Sequence, residues 1–240
     1  MTLLIGTSGW TYDCWKGAFY PEKLAKTKWL PHYCTLFNTV EVNATFYRTI
    51  KDSTYEKWRE TTPEGFTWAV KASRYITHVK RLKTPEETVP RFLESASILN
   101  EKLGPILLQL PPTLAYEKEV ARDFFQFLPK GFRFTLETRH DSWLDDGLFA
   151  LLEVHNIAWC VSDTAGKHAC VEAATADFVY LRLHGSQEIY MSSYTDEELE
   201  HWAELVAGWN RDAYIYFDNT MTDAAARNAL RLKELMGVDD

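Results

Sequence analysis

Four acidic residues of this 240-residue chain, Glu41, Glu137, Asp163 and Asp218, each stand at the end of a short apolar segment, and so do His184, Lys71, Arg139 and Arg182. A carboxyl group beside another carboxylate, or in an apolar pocket, has its pKa raised toward the working range of a general acid or base. Glu41, Glu137, Asp163, His184 and Asp218 are therefore the candidate catalytic groups. A glycosidase-type acid pair is one chemistry open to them, but sequence carries no carboxyl separation, the quantity that distinguishes retaining from inverting enzymes. The same acids with His140 and His184 suit a divalent metal, which makes a metal-dependent hydrolase an alternative. There is no HxH, HExxH or DxD spacing, and Lys71, Arg139 and Arg182 would repel a dication, so no metal site is expected. Those three cations favour an anion instead, because guanidinium forks match phosphate and carboxylate.

The expected ligand contacts are Trp10, Tyr12, Asn43, Tyr47, Lys71, Gln109, Arg139, His140, Arg182 and Asn219. Trp10 and Tyr12 belong to GWTYDCWKGAFYP at 9–21, and Tyr47 follows Phe46 in a second aromatic stretch. Such rings suit stacking on a sugar or base, and equally suit a hydrophobic cluster that anchors long loops. Covalent chemistry has weaker markers: Lys71 would form a Schiff base if desolvated and Cys160 is a possible nucleophile, yet neither has an evident activating neighbour. The basic stretch SRYITHVKRLK at 73–83 reads as a solvated loop before it reads as a nucleic-acid contact. No cofactor is expected. HGSQ and DNTMTD, where a phosphate site would lie after the last two strands, hold one glycine between them.

Positioning these groups falls to eight strand-like segments, near 3–7, 39–43, 66–71, 105–110, 133–138, 158–162, 178–184 and 213–217. Helical patterns lie near 28–37, 53–61, 85–102, 117–127, 143–154, 196–209 and 222–236, with a short one at 171–176. Thr84, Pro85 and Glu87 predict a capping box at the third of these. In VYLRLHG at 179–185, period-two alternation puts Val179, Leu181 and Leu183 on one face and Tyr180, Arg182 and His184 on the other. Strand–helix alternation from end to end predicts a single-domain (β/α)8 barrel over 1–240, with a doubly wound open sheet as the alternative. In a barrel the apolar face meets the helices and the polar face lines the interior, where active sites form at the C-terminal strand ends. Each polar strand end has a second reading, as part of an ion-pair network that closes the barrel.

Composition agrees with a folded chain: 46% of residues are hydrophobic and 14% aromatic, enough for a large core. A net charge of −8 weighs against a broad nucleic-acid or anionic-membrane surface. The start, MTLLIGTSGW, has no basic region ahead of a long apolar core, so a cytoplasmic protein with free thiols at Cys14, Cys34, Cys160 and Cys170 is expected.

GTSGWTYDCWKGAFYP at 6–21, EVNATFYR at 41–48, LLQLPP at 107–112, ETRHDSW at 137–143, YLRLHG at 180–185 and FDNT at 217–220 together resemble the DUF72 or YecE-like family. The resemblance spans essentially the whole chain and implies the barrel, but brings no reaction with it. What the residues themselves predict is a polar, partly cationic mouth that takes a small anionic or polyhydroxylated molecule, with acid/base catalysis open to it. A non-catalytic barrel that binds a ligand or partner is the alternative. Oligomeric state is not legible.

Overall fold

Alternating apolar residues produce eight strands in a computed structural model that describes residues 1–238: β1 (Leu3–Thr7), β2 (Thr39–Val42), β3 (Thr67–Lys71), β4 (Leu103–Gln109), β5 (Phe134–Glu137), β6 (Ile157–Asp163), β7 (Phe178–Leu183) and β8 (Asp212–Phe217). Asp239 and Asp240, the end of the domain expected over 1–240, lie outside the described residues. Every strand pair is parallel, in the order β1-β8-β7-β6-β5-β4-β3-β2, and the sheet curls into a nearly closed barrel rather than a doubly wound open sheet. The seam lies between β1 and β2, where the ladder is reduced to one bridge, Ser8 to Glu41. Tyr33 closes the rest of it, since its hydroxyl accepts from the Thr7 amide and donates to the Thr39 carbonyl, both at 3.0 Å. Gly6 permits this approach: a Cβ there would lie 2.4 Å from the Thr39 carbonyl oxygen.

The pleat divides each strand between two environments. Val179, Leu181 and Leu183 pack outward with residues such as Leu148, Leu199 and Leu232 from the helical layer. Inside, Leu4, Ala69, Leu107, Ala158, Cys160, Phe178, Tyr180, Tyr214 and Tyr216 fill the lower barrel. Above this apolar plug the same inward rows end in polar side chains.

The outer helices are α1 (Trp29–Tyr33), α2 (Ala44–Tyr47), α3 (Asp52–Thr61), α4 (Pro85–Ala96), α5 (Lys118–Phe127), α6 (Asp146–His155), α7 (Asp196–Trp209) and α8 (Ala224–Leu235). Four expectations are corrected. The helix expected over 85–102 stops at Ala96 and passes into a 3-10 stretch, Ser97–Lys102, broken at Asn100 with φ 50°. Thr84 does precede Pro85 at the helix start, but it sits at φ 51°, and a capping hydroxyl needs extended backbone to reach the first-turn amides. No capping box forms, and Glu87 turns to Lys80 at 3.1 Å. The box appears instead at α7, where Thr195 and Glu198 cap reciprocally. Segment 171–176 is not helical: the Thr175 hydroxyl accepts from the Trp159 amide and donates to the Ile157 carbonyl, tying the segment to β6. The basic stretch at 73–83 is also more ordered than a solvated loop, since Tyr75–Val79 forms a π-helical turn. Among the described residues no helix is long and apolar enough to cross a membrane, and all four cysteines are unbridged.

Candidate functional site

Inward parity brings Ser8, Glu41, Lys71, Gln109, Glu137, Ser162, Arg182 and Asp218 to the C-terminal end of the barrel. Arg182, 1% exposed, is the hub. It grips Glu41 through two parallel bonds of 2.9 Å from Nε and Nη2, reaches Glu137 from Nη1 at 2.7 Å, and reaches Asp218 from Nη2 at 2.9 Å. Its remaining Nη1 proton points at His184 Nε2, 3.3 Å away. Arginine has five N–H donors and no acceptor, so all of its capacity is engaged and His184 Nε2 must present a lone pair. The His184 proton then belongs on Nδ1, 3.0 Å from Asp218 Oδ2 but outside good hydrogen-bond alignment.

Further partners complete the carboxylates. Glu41 accepts from the Ser8 hydroxyl at 2.5 Å and from Tyr180 at 2.7 Å, while Glu137 accepts from Arg139 Nε at 3.0 Å. Burial alone would raise the Glu137 carboxyl, but Arg182, then Arg139, outweigh it and hold the group well below the usual carboxylate range. Asp218 is held low for a similar reason: Arg182 and the His184 contact overcome burial. Arg182 in turn stays protonated at any ordinary pH, because its three carboxylates outweigh the burial that opposes its charge.

Lys71 is placed differently. It is 7% exposed, yet among the described residues its ammonium makes no hydrogen bond or ion pair; its neighbour is the Phe46 ring, with Nζ 4.4 Å from the centroid. Burial, followed by Arg182, lowers its pKa from 10.5 to about 8 despite the opposing pull of Glu137, Glu41 and Asp218. The backbone carrying it is pinned, since the Thr45 hydroxyl donates to the Lys71 carbonyl at 2.6 Å. On the same side, burial together with Lys71, Arg74, Arg139 and Arg81 pushes His78 down to about 4. This flank is accordingly positive, although Arg182, Arg139 and Lys71 balance Glu41, Glu137 and Asp218 on the floor.

Of the other predicted residues, Tyr12 and Gln109 stay beside the network and the rest lie away from it. Asp163 has outward parity, in register with Leu183, and accepts from Tyr194 at 2.8 Å, tying the loop after β7 to the sheet. Asn219 is buried beneath the mouth and donates to the Ser192 carbonyl and to Asn228. Trp10 packs edge-on against Trp58 and Trp68 in the outer hydrophobic layer. The Tyr12 hydroxyl donates to the Ser8 carbonyl, and burial followed by Asp218 raises its pKa, keeping it protonated. Tyr47 is 72% exposed beyond Phe46. His140 accepts from the Ser142 amide at 3.2 Å and borders a small recess with Arg139 and His168. Gln109 donates to the Leu110 carbonyl, and among the described residues Asn43 Oδ1 is buried without a partner. Sequence reasoning missed Ser8, although counting inward from Leu4 and Gly6 reaches it, and missed His78, which no strand parity marks. Among the described residues no three His, Cys, Asp or Glu side chains form a group able to hold a metal; Glu41, Glu137 and Asp218 close on the Arg182 guanidinium instead.

The model of a family described as "Protein of unknown function DUF72" matches residues 4–240. The chain is 26% identical to the UPF0759 protein YunF of Bacillus subtilis over 99% of its own length and 95% of that protein. It is 31% identical to the UPF0759 protein YecE of Escherichia coli over 60% of this chain and 51% of that protein. A crystal structure of a DUF72 family protein from Thermotoga maritima superposes with a TM-score of 0.88 at 27% identity, covering 99% of this chain and all of that one.

Proposed function

Because the chain belongs to the DUF72 family, whose description names no activity, we propose its function from the barrel mouth alone: the protein binds a small anionic ligand there, between the ends of β2, β3 and β5. Lys71 and the outer side of Arg139 meet the anion, and the Arg182 network is the rigid floor beneath it. The observation that carries this reading is the Lys71 ammonium, almost wholly buried and without a hydrogen-bond acceptor among the described residues. A buried charge without a partner costs several kcal/mol, a cost that an arriving anion relieves. Arg139 is 19% exposed, with its Nε and Nη2 on Glu137 and Nη1 left for the ligand. Among the described residues Asn43 Oδ1 and Ser162 Oγ are two further buried polar atoms without partners.

The same arrangement assigns chemical roles if a reaction follows binding. Glu137 and Asp218, held ionised well below the ordinary carboxylate range, act as electrostatic stabilisers and not as general acids or bases at neutral pH. Lys71 is the group poised near neutrality and so able to move a proton. Thermal unfolding with sugar phosphates, nucleotides and carboxylates tests the binding step. Ligand at about 100 times Kd adds about 2.7 kcal/mol, or roughly 5–11 °C for a chain of this size. Lys71→Met should abolish the shift. A panel without effect, or neutral sugars as effective as anions, overturns the proposal.

A further inference from the structure

We propose that Lys71 is a covalent nucleophile, forming an imine with the carbonyl of a small anionic aldehyde or ketone whose charged group rests on Arg139. The inference rests on the anion-binding reading and adds the substrate class to it.

Three features, taken together, set this buried amine apart from the other lysines. It lies on the inward face at the C-terminal end of β3, where a molecule entering the mouth arrives. Among the described residues it makes no hydrogen bond or ion pair, so its nitrogen is not tied to a carboxylate as Lys80 is to Glu87. Phe46 shields its flank, and the Thr45 hydroxyl anchors its backbone, which limits the approach to the side of the mouth. With a pKa of about 8 against an ordinary 10.5, the fraction present as free amine at neutral pH is about two orders of magnitude above that of an exposed lysine.

The step balances without a further reactant. The nitrogen lone pair forms the C–N bond to the carbonyl carbon; the carbonyl oxygen then leaves as water, carrying the two amine protons. Protonation of the imine restores the cation that Glu41, Glu137 and Asp218 face in the resting state. The anionic group of the substrate is what brings the carbonyl within reach, and Arg139 is the side chain placed to hold it.

Borohydride trapping tests this on the full chain. Protein is incubated at neutral pH with glyoxylate, pyruvate or glyceraldehyde 3-phosphate, reduced with sodium borohydride, digested and mapped by mass spectrometry. The expected result is a secondary amine on Lys71 at about tenfold or more the occupancy of any exposed lysine. Lys71→Arg keeps the charge but not the nucleophile, so it should lose this adduct. Adduct spread evenly over the exposed lysines, with Lys71 unmarked in the parent, overturns the inference whether or not the variant folds. If the parent's thermal shift persists in that case, anion binding survives and only the covalent step falls. Absence of both shift and adduct removes both.

Discussion

Replacing Arg182 by methionine keeps much of the side-chain bulk and removes the one cation shared by Glu41, Glu137 and Asp218. The three carboxylates would not suffer equally. Glu137 retains Arg139 at 3.0 Å, and Glu41 retains the Tyr180 and Ser8 hydroxyls at 2.7 and 2.5 Å. Among the described residues the close contact left to Asp218 is the bent one to His184 at 3.0 Å, with Lys71 acting on it from farther off. The cost is accordingly close to that of breaking one buried pair, about 3–5 kcal/mol, and not three times that. At roughly 2–4 °C per kcal/mol for a chain of this length, Arg182→Met should unfold about 6–20 °C below the parent at pH 7. The pH dependence gives a second check. In the parent, Glu137 and Asp218 titrate below their ordinary values of 4.5 and 3.8, so their contribution is complete above those values and is lost as pH falls beneath them. In the variant the uncompensated carboxylates titrate higher, and protonation relieves their strain as the pH falls. The gap in midpoint between parent and variant should therefore narrow from pH 7 toward pH 4.5. A variant within about 2 °C of the parent at pH 7, or a gap that widens on acidification, would refute the network as a stabilising element.

Lys71→Met should raise stability while abolishing the anion-induced shift, because a lysine lowered from 10.5 to about 8 opposes folding by about 3 kcal/mol at neutral pH; by the same linkage, parent stability should rise between pH 8 and 10.5. Urea titration of Lys71→Met showing an unchanged or lower midpoint would contradict the burial argument. Tyr180→Phe removes a donor 2.7 Å from Glu41 and should cost about 1–3 kcal/mol in the same titration, with near-UV circular dichroism otherwise unchanged. Gly6→Ala, whose methyl would press on the Thr39 carbonyl and the Tyr33 hydroxyl, should cost about 1–3 kcal/mol or more and speed hydrogen exchange at the Thr7 amide. In native protein at pH 8, Cys14 should react with a disulfide reagent while Cys160, buried and with its thiol pushed far up, stays silent until denaturant is added.

Much of the mouth was legible in the sequence because strand geometry is local: period two sends Tyr180 and Arg182 inward and Leu181 and Leu183 outward whatever the rest of the chain does. Family resemblance and strand–helix alternation led independently to the same barrel. Even Asp163 had a warning in its register, since an inward row of Ala158, Cys160 and Ser162 leaves it on the other face. Local signals failed where a backbone angle set the outcome: Thr84 and Glu87 carry the capping-box pattern, yet the φ of 51° at Thr84 turns the hydroxyl away. Which charges neutralise one another was beyond any local pattern. Arg182 is saturated by Glu41, 141 positions away, by Glu137, 45 away, and by Asp218, 36 away, whereas Lys71 is left facing a phenyl ring. Sequence lists donors and acceptors at each strand end, but an ion pair or a bare ammonium is decided by a few ångströms across the barrel, and only closure of the sheet sets those distances.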